Sequence, residues 1–316
     1  MHKINSSAHN SPTVAILLCT YQGQKFLQAQ LDSFLTQTHS NWVLWVSDDG
    51  SNDGTHAILN QALKGWSKNK ISIQNGPKEG FSANFLSLTC KMDIQADYYA
   101  YSDQDDIWQS DKLARALTVL KTVPADVSAL YCSSTLLVDA DDRPICTSPF
   151  FTKLPSFANA LIQNIGGGNT MVFNDAARKL LIEAGKSVNV VTHDWWTYLL
   201  VSGCGGQVFY DAMPTVRYRQ HENNLVGMNA SMSARIKRIV QLFKGRFREW
   251  NDLNVAAINS MRVHLTPKNQ QILNQFVVAR QQPLLRRMLA LKSSGIYRQT
   301  LFGKLGLIVG AVFNKI

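Results

Sequence analysis

Apolar runs and helical periodicities alternate along the N-terminal part of the chain. Three short runs are apolar almost without interruption, which is typical of strands covered on both faces: Val14–Cys19, Trp42–Ser47 and Tyr98–Ser102. Apolar residues recur at helical spacing in three other segments: Lys25–Gln37, Gly54–Lys64 and Asp111–Lys121. Because strands and helices alternate, the pattern predicts an α/β fold with a mainly parallel sheet and helices on both faces.

The middle of the chain has a less regular pattern that still predicts both kinds of element. The expected elements are strands at Ala129–Val138 and Asn169–Phe173, helices at Asp175–Ala184 and Asp194–Val201, and extended stretches at 207–210 and 215–218. We find no internal repeat that would suggest a solenoid or a propeller.

A basic amphipathic pattern begins after Gly227. Apolar residues recur there at helical spacing with cations between them: Ile236, Ile239, Val240, Phe243, Phe247 and Trp250. Residues 228–316 hold 15 Lys/Arg and 2 Asp/Glu, whereas residues 1–227 hold 17 Lys/Arg and 20 Asp/Glu. We therefore predict a catalytic or binding domain over 1–227 and a basic helical region over 228–316.

The basic region has three possible roles, namely binding nucleic acid, lying on an anionic membrane, or packing on the first domain. It contains no zinc-finger or RNP motif, so we expect no nucleic-acid partner. Apolar positions interleaved with cations favour a helix at a membrane surface. The apolar run Leu305–Phe313 is too short to cross a bilayer.

The five cysteines are scattered, and none forms a CxxC pair that would indicate a zinc site. A chain of this length can bury a large core without disulfides, so we expect reduced cysteines and a cytoplasmic location. The polar N-terminus lacks the apolar segment of a secretory signal. We therefore expect a peripheral protein on the cytoplasmic face of a membrane.

Two acidic clusters follow predicted strands. Asp48-Asp49 comes directly after the second strand, and Asp103-Gln104-Asp105-Asp106 comes after the third. Parallel strands place both clusters at one edge of the sheet, where ligands bind in open α/β folds. A cation would offset their repulsion, and oxygen ligands favour Mg²⁺ or Mn²⁺ beside a substrate phosphate. The alternative is that they are acids of turns and helix caps.

Other chemistries lack their motifs in this sequence. No Walker sequence, GxGxxG after the first strand, or GxSxG elbow is present. Five stretches instead resemble the family 2 glycosyltransferases of GT-A fold, in particular their bacterial rhamnosyltransferase-like branch. They are Leu18–Leu27, Val46–Thr55, Tyr101–Lys112, His193–Trp196 and Val216–Gly227.

The resemblance implies a donor site and a metal site. Thr20 and Tyr21 would line the pocket for the nucleotide base, and Asp49 would hydrogen-bond the base. Asp103 would hold the ribose or the sugar. Asp105 would contact the metal, with His221 completing the metal and diphosphate site, and Asp106 is a second candidate for either contact.

The resemblance also implies an acceptor site. Asp194 would be the general base that takes the proton of the acceptor hydroxyl, a role that suits a carboxylate at a helix N-terminus. Trp195 and Trp196 would shape the acceptor cleft, since both cannot face the core from one amphipathic helix. Gly167 and Gly168 would permit the close approach of an acceptor sugar.

The implied activity is the metal-dependent transfer of a sugar, with inversion, from a nucleotide-sugar donor to a saccharide or lipid-linked glycan. The resemblance favours L-rhamnose from dTDP-rhamnose in the synthesis of O-antigen or another surface polysaccharide. Three alternatives stay open: a UDP-hexose donor, a nucleotidyltransferase, and a non-catalytic glycan-binding or membrane-scaffold protein. The Gly-rich, basic loop that nucleotidyltransferases carry after the first strand is replaced here by Tyr21–Lys25.

Overall fold

The structure is a computed structural model that describes residues 11–221 and 245–316. A nine-stranded sheet forms the centre of this described part. Its strands are β1 (Val14–Thr20), β2 (Trp42–Asp48), β3 (Ile71–Asn75), β4 (Tyr98–Ser102), β5 (Ile107–Trp108), β6 (Ala129–Val138), β7 (Pro144–Thr147), β8 (Val172–Asn174) and β9 (Gln207–Arg219).

Helices cover both faces of the sheet and make up the C-terminal region. They are α1 (Leu27–Leu35), α2 (Thr55–Gly65), α3 (Phe81–Thr89), α4 (Lys112–Leu120), α5 (Phe157–Ala160), α6 (Asp175–Ala184), α7 (His193–Gly203), α8 (Arg246–Ser260), α9 (Pro267–Gln281), α10 (Leu284–Ser293) and α11 (Leu301–Val312). Short 3₁₀ helices occur at Gly168–Thr170 and Arg262–His264.

The strand order is β3-β2-β1-β4-β8-β6-β9-β5, and β7 pairs with β6. The first four strands are parallel, as the alternating pattern predicts. The second half is mixed, because β8 is antiparallel to β4 and β6, and the short connection after β6 returns the chain as an antiparallel β7. The predicted α/β fold is confirmed, with its parallel part confined mainly to the N-terminal half.

Two hydrophobic clusters pack on opposite faces of the sheet. On one face α1, α2 and α4 contribute Phe34, Leu59 and Leu117 to a buried cluster with the strands. On the other face α3, α6 and α7 pack Phe85, Leu181 and further apolar residues against the same sheet. The predicted helices on both faces are therefore present.

The C-terminal helices share the second cluster. Ile258 of α8, Phe276 of α9 and Leu291 of α10 are buried in it, and the Trp250 ring meets that of Trp195 in α7 at a centroid distance of 6.2 Å. Residues 245–316 thus pack against the N-terminal part of the described chain, residues 11–221. The boundary proposed near Gly227 lies outside the described residues, as do the predicted apolar positions Ile236, Ile239, Val240 and Phe243.

Two further expectations concern the chain as a whole. All five cysteines are free thiols, in agreement with a fold that needs no disulfide. Within residues 11–221 and 245–316, no helix is long and apolar enough to cross a membrane.

Candidate active site

The carboxyl ends of β1, β2 and β4 meet at one edge of the sheet. In the parallel registers, Thr20 pairs with Asp48, and Ser102 pairs with Leu18 near the end of β1. The two acidic clusters therefore start on either side of β1 at the same edge of the sheet, as the sequence predicts. This edge is where a ligand binds in an open α/β sheet.

Asp48 supports the loop beneath this edge. Its carboxylate accepts hydrogen bonds from Thr20 Oγ1 at 2.7 Å and from the hydroxyl and amide of Ser51 at 2.6 and 2.8 Å. Burial by itself would raise the pKa of Asp48, but the hydrogen bonds from Ser51 and Thr20 hold it below its usual value. The side chain of Thr20 is only 1% exposed, which corrects the predicted contact with a base: Thr20 acts by holding Asp48.

Asp49 organises the loop that follows β3. Its two carboxylate oxygens accept hydrogen bonds from the amides of Lys78 at 2.6 Å and Gly80 at 3.0 Å. Gly76 permits this arrangement, since a Cβ there would lie 2.7 Å from Asp49 Oδ1. Each carboxylate oxygen has a second acceptor site, so a contact between Asp49 and a nucleotide base stays a prediction.

Gln104 ties the acidic loop to the end of β1. Its side-chain oxygen accepts from the Tyr21 amide at 2.8 Å, and its side-chain nitrogen donates to the Tyr21 carbonyl at 2.7 Å. The Tyr21 ring is left exposed at the sheet edge, where a base can reach it. This role of Gln104 could not be predicted from the sequence, because its partner is 83 residues away along the chain.

Carboxylates crowd the loop after β4. Burial, and then the charges of Asp105 and Asp194, raise the pKa of Asp103 to about 8. Adjacent residues link Asp194 to this loop, because the Gly168 amide donates to Asp194 and Asn169 Nδ2 donates to Asp106. A cation placed there would relieve the repulsion between these groups.

Asp106 is enclosed behind this loop. Its oxygens accept from Asn169 Nδ2 at 2.5 Å and from the Arg219 amide at 3.2 Å, and the side chain has no exposed surface. Its candidacy for the metal or sugar contact is therefore wrong, because the carboxylate is fully enclosed and no ligand can reach it. The buried ammonium of Lys112, 4.6 Å from the Trp108 ring, lies on the same inner side of the loop.

Asp105 and His221 form the pair that fits a metal ion. His221 Nε2 lies 2.8 Å from Asp105 Oδ2, and the Phe26 ring packs on the imidazole at 4.9 Å. Carboxylate and imidazole are both ligands of Mn²⁺, and Mg²⁺ needs only one or two carboxylates beside substrate phosphates. In the described ranges no group of three or more His, Cys, Asp or Glu side chains could hold a metal, so the remaining ligands would come from the diphosphate and water.

Asp194 lies in the first turn of α7. Its Oδ2 accepts from the Gly168 amide at 3.0 Å and its Oδ1 from the Trp195 amide at 2.7 Å. Thr192 caps the helix, so the carboxylate stands at the positive end of the helix dipole. A Cβ on Gly168 would lie 2.6 Å from His193 Nε2, so this approach requires glycine, whereas Gly167 is exposed beside it.

Trp195 and Trp196 are both buried, so the prediction that at least one of them is available to a ligand is wrong. Trp195 Nε1 donates to the Ala160 carbonyl at 2.6 Å, and its ring meets Trp250. Helix α7 has no solvent face, because the sheet, α5 and α8 enclose it. These tryptophans hold α7 in place and do not line a cleft.

His193 was not predicted as a separate feature, although it precedes the proposed base. Its ring stacks on Phe85 at 3.9 Å and meets Tyr101 edge-on at 4.8 Å, and neither ring nitrogen has a hydrogen-bond partner. Burial lowers the pKa of His193 to about 4, against a smaller opposing effect of Asp194. The imidazole is therefore neutral at physiological pH.

This burial predicts a pH-dependent loss of stability. The unfolded state binds the proton at a pKa near 6.5 and the folded state at about 4, so the stability is complete above pH ~6.5 and falls as pH drops toward ~4. The loss from this group is about 3 kcal/mol. Urea unfolding of wild type and His193→Leu across this range should give a steeper fall for wild type. The carboxyl groups titrate in both proteins, so only His193 should make the two differ. An equal fall of the unfolding free energy with pH in both proteins would contradict the prediction.

Known proteins are similar to this chain in sequence and in fold. The model of the family described as Glycosyl transferase family 2 matches residues 15–181. The dTDP-rhamnosyl transferase RfbG of Shigella flexneri is 30% identical over 239 residues, which cover 70% of this chain and 78% of that protein. The UDP-Glc:alpha-D-GlcNAc-diphosphoundecaprenol beta-1,3-glucosyltransferase WfgD of Escherichia coli is 27% identical over 162 residues, 51% of this chain and 60% of that protein.

A solved structure shows the same fold. The mannosyltransferase PcManGT of Pyrobaculum calidifontis, in complex with GDP-Man and Mn²⁺, superposes with a TM-score of 0.51 at 16% identity, over 97% of this chain and 86% of that one. The family match and the similarity to RfbG favour a glycosyltransferase over the nucleotidyltransferase and scaffold alternatives. The chain therefore belongs to glycosyl transferase family 2 and is a glycosyltransferase of GT-A fold.

Proposed function

We propose that this enzyme is inverting and metal-dependent and moves L-rhamnose from dTDP-rhamnose to a saccharide or lipid-linked glycan in the synthesis of a surface polysaccharide such as an O-antigen. One observation carries the reaction: adjacent residues connect Asp194 to the acidic loop, since the Gly168 amide donates to Asp194 and Asn169 donates to Asp106. The free thiols and the similarity to RfbG support a cytoplasmic enzyme that acts at the inner face of a bacterial membrane.

The donor binds along the edge from Tyr21 to the acidic loop. The exposed Tyr21 ring and Asp49 receive the base, and Asp103 holds the ribose or the sugar. Asp105 and His221 would hold Mg²⁺ or Mn²⁺, which would supply positive charge beside the departing diphosphate. Asp103 suits a hydroxyl of the ribose or the sugar, because its raised pKa favours the protonated carboxyl. A protonated carboxyl can donate a hydrogen bond as well as accept one.

The acceptor binds on the side of α7. Asp194 accepts the proton of the acceptor hydroxyl while that oxygen forms a bond to the anomeric carbon and the bond from this carbon to the diphosphate oxygen breaks. The amides of Gly168 and Trp195 keep the carboxylate oriented and leave a second acceptor site on each oxygen. Attack opposite the leaving group inverts the anomeric centre, and no covalent intermediate with the enzyme is needed.

A UDP-hexose donor is the second candidate, and the similarity to WfgD favours it. The same relative supports a lipid-linked acceptor, because WfgD transfers glucose to GlcNAc-diphosphoundecaprenol. Donor choice depends on a few side chains around the sugar, whereas the chemistry of transfer is the same in both cases.

A panel of nucleotide sugars tests the donor. With Mn²⁺ present, dTDP-rhamnose should raise the melting temperature and be hydrolysed faster than UDP-glucose or UDP-galactose. Binding at 100 times Kd stabilises a protein by about 2.7 kcal/mol, which a thermal shift detects readily. If UDP-glucose gave both responses and dTDP-rhamnose neither, the rhamnose assignment would be wrong and the second candidate correct.

A further inference from the structure

The outward face of α11 is apolar over its whole length. Leu301 and Phe302 are 80% and 78% exposed, and Leu305, Ile308, Val312 and Phe313 are exposed after them. Positions 301, 305, 308 and 312 follow one stripe of a helix, and 302 and 313 border it. We call this stripe the α11 face.

The inward side of the same helix carries small residues. Gly310 and Ala311 are buried against the protein and Leu307 packs partly on the core, while Leu301, Leu305, Ile308 and Val312 are exposed. A helix that only packed on a domain would have the opposite arrangement. Contiguous exposed apolar surface of this kind marks a binding site.

The orientation of α11 is fixed by two arginines. The buried Arg287 donates to the Ala311 carbonyl at 2.8 Å, and Arg280 donates to the Ile316 carbonyl at 2.8 Å. The first bond satisfies one of the last carbonyls of α11, and the second holds the segment that follows the helix. The apolar stripe is therefore held outward by buried polar contacts.

The surroundings of the α11 face are basic. The chain has no Asp or Glu after Asp252, whereas residues 281–316 contain six Lys and Arg. Arg286 and Lys292 are exposed on the neighbouring α10, together with Leu285 and Leu289, and Lys304 is exposed on α11 itself. Apolar side chains flanked by cations suit the headgroup region of an anionic bilayer.

The α11 face is also joined to the acceptor side of the active site. Just before α11, Gln299 exchanges hydrogen bonds with the backbone of Lys153 at 3.2 and 3.0 Å. The same loop carries the exposed Leu154, and at Ser156 its carbonyl accepts from Tyr198 of α7 at 3.0 Å. Helix α7 carries the proposed base, Asp194, in its first turn. A surface that binds α11 therefore also sets the position of the acceptor side of the active site relative to that surface.

We propose that the α11 face lies in the headgroup region of an anionic lipid bilayer, parallel to the membrane plane, with α10 beside it. The inference rests on the proposed function in one respect: a lipid-linked acceptor would lie in the same membrane. A helix of 12 residues is roughly 18 Å long, short of the roughly 30 Å hydrocarbon core, so it lies on the membrane. A second copy of the chain is a poorer occupant, because it would bring two basic, acid-free surfaces together.

Vesicle sedimentation of the full-length protein tests this proposal. Wild type should bind vesicles of phosphatidylethanolamine and phosphatidylglycerol, and bind phosphatidylcholine vesicles much less. The double variant Phe302→Asp/Leu305→Asp should bind the anionic vesicles at least about tenfold more weakly than wild type. Lys304→Gln should reduce binding less, and raised salt should weaken wild-type binding because it screens the headgroup charge.

The matched control places the same charges on exposed apolar residues elsewhere. Met92→Asp/Val263→Asp should bind vesicles like wild type, since both side chains are exposed away from α11. Donor hydrolysis in solution should be unchanged in all these variants, which separates failure of this proposal from failure of the proposed function. Equal vesicle binding by wild type and Phe302→Asp/Leu305→Asp would overturn the proposal. So would a wild-type dimer that this double variant dissociates without a change in vesicle binding.

Discussion

Replacing Asp194 by asparagine is expected to lower kcat/KM for sugar transfer by about 10²–10⁴-fold, the usual contribution of a general base. Asparagine has the same shape, but its carbonyl oxygen can accept from only one of the two amides that bind Asp194, those of Gly168 and Trp195, so a small loss of stability is expected. Asparagine cannot take the proton of the acceptor hydroxyl. The loss should therefore appear in kcat and exceed what the lower melting temperature explains, while the Kd of the donor stays near wild type.

Asp175→Asn is the matched control for this experiment. Asp175 also lies in the first turn of a helix, α6, where a carboxylate interacts favourably with the helix dipole. Its loss should cost a small amount of stability and leave kcat unchanged. If Asp194→Asn transferred sugar at the wild-type rate, or lost activity only in proportion to unfolding, Asp194 would not be the base.

The elements that could be predicted from the sequence are those whose pattern is set by local burial. Strands β1, β2 and β4 are covered on both faces, so their apolar runs are unbroken and their bounds are predicted within a residue or two. Strand β3 was missed because it is an edge strand with only one buried residue. Helix α3 was missed because it starts directly after Gly80, whose φ of 90° turns the chain without a capping side chain.

The errors in the site have a different cause. Amphipathic reasoning assumes that a helix has a solvent face, and α7 has none, because α8 covers it from a segment about 50 residues later in the chain. The roles of Gln104 and Asp106 depend on partners that are 63 to 113 residues distant in sequence. Motif spacing identified which strand ends meet, but it could not tell which of three neighbouring aspartates points outward.

Removing the divalent cation or its carboxylate ligand is expected to have the second large effect. A metal that stabilises a leaving diphosphate contributes several kcal/mol, and about 4 kcal/mol corresponds to about 10³-fold in rate. Chelation should therefore lower transfer by about 10³-fold in wild type, with full recovery when Mn²⁺ is restored. Asp105→Asn should show the same loss without recovery, while Asp111→Asn, an exposed aspartate at the start of α4, should behave like wild type.

Stability measurements separate the loss of the metal ligand from a folding defect. Loss of the ligand should leave the melting temperature unchanged or raise it, whereas a folding defect lowers it. Without metal, Asp105→Asn removes a charge that raises the pKa of Asp103, so its melting temperature should equal or exceed that of wild type. Added Mn²⁺ should stabilise wild type but not the variant. His221→Gln should lose activity as well, and the double variant should lose little more than the worse single one, since both residues hold one ion. Additive losses, or full activity in chelator, would show that Asp105 and His221 serve the reaction without a metal.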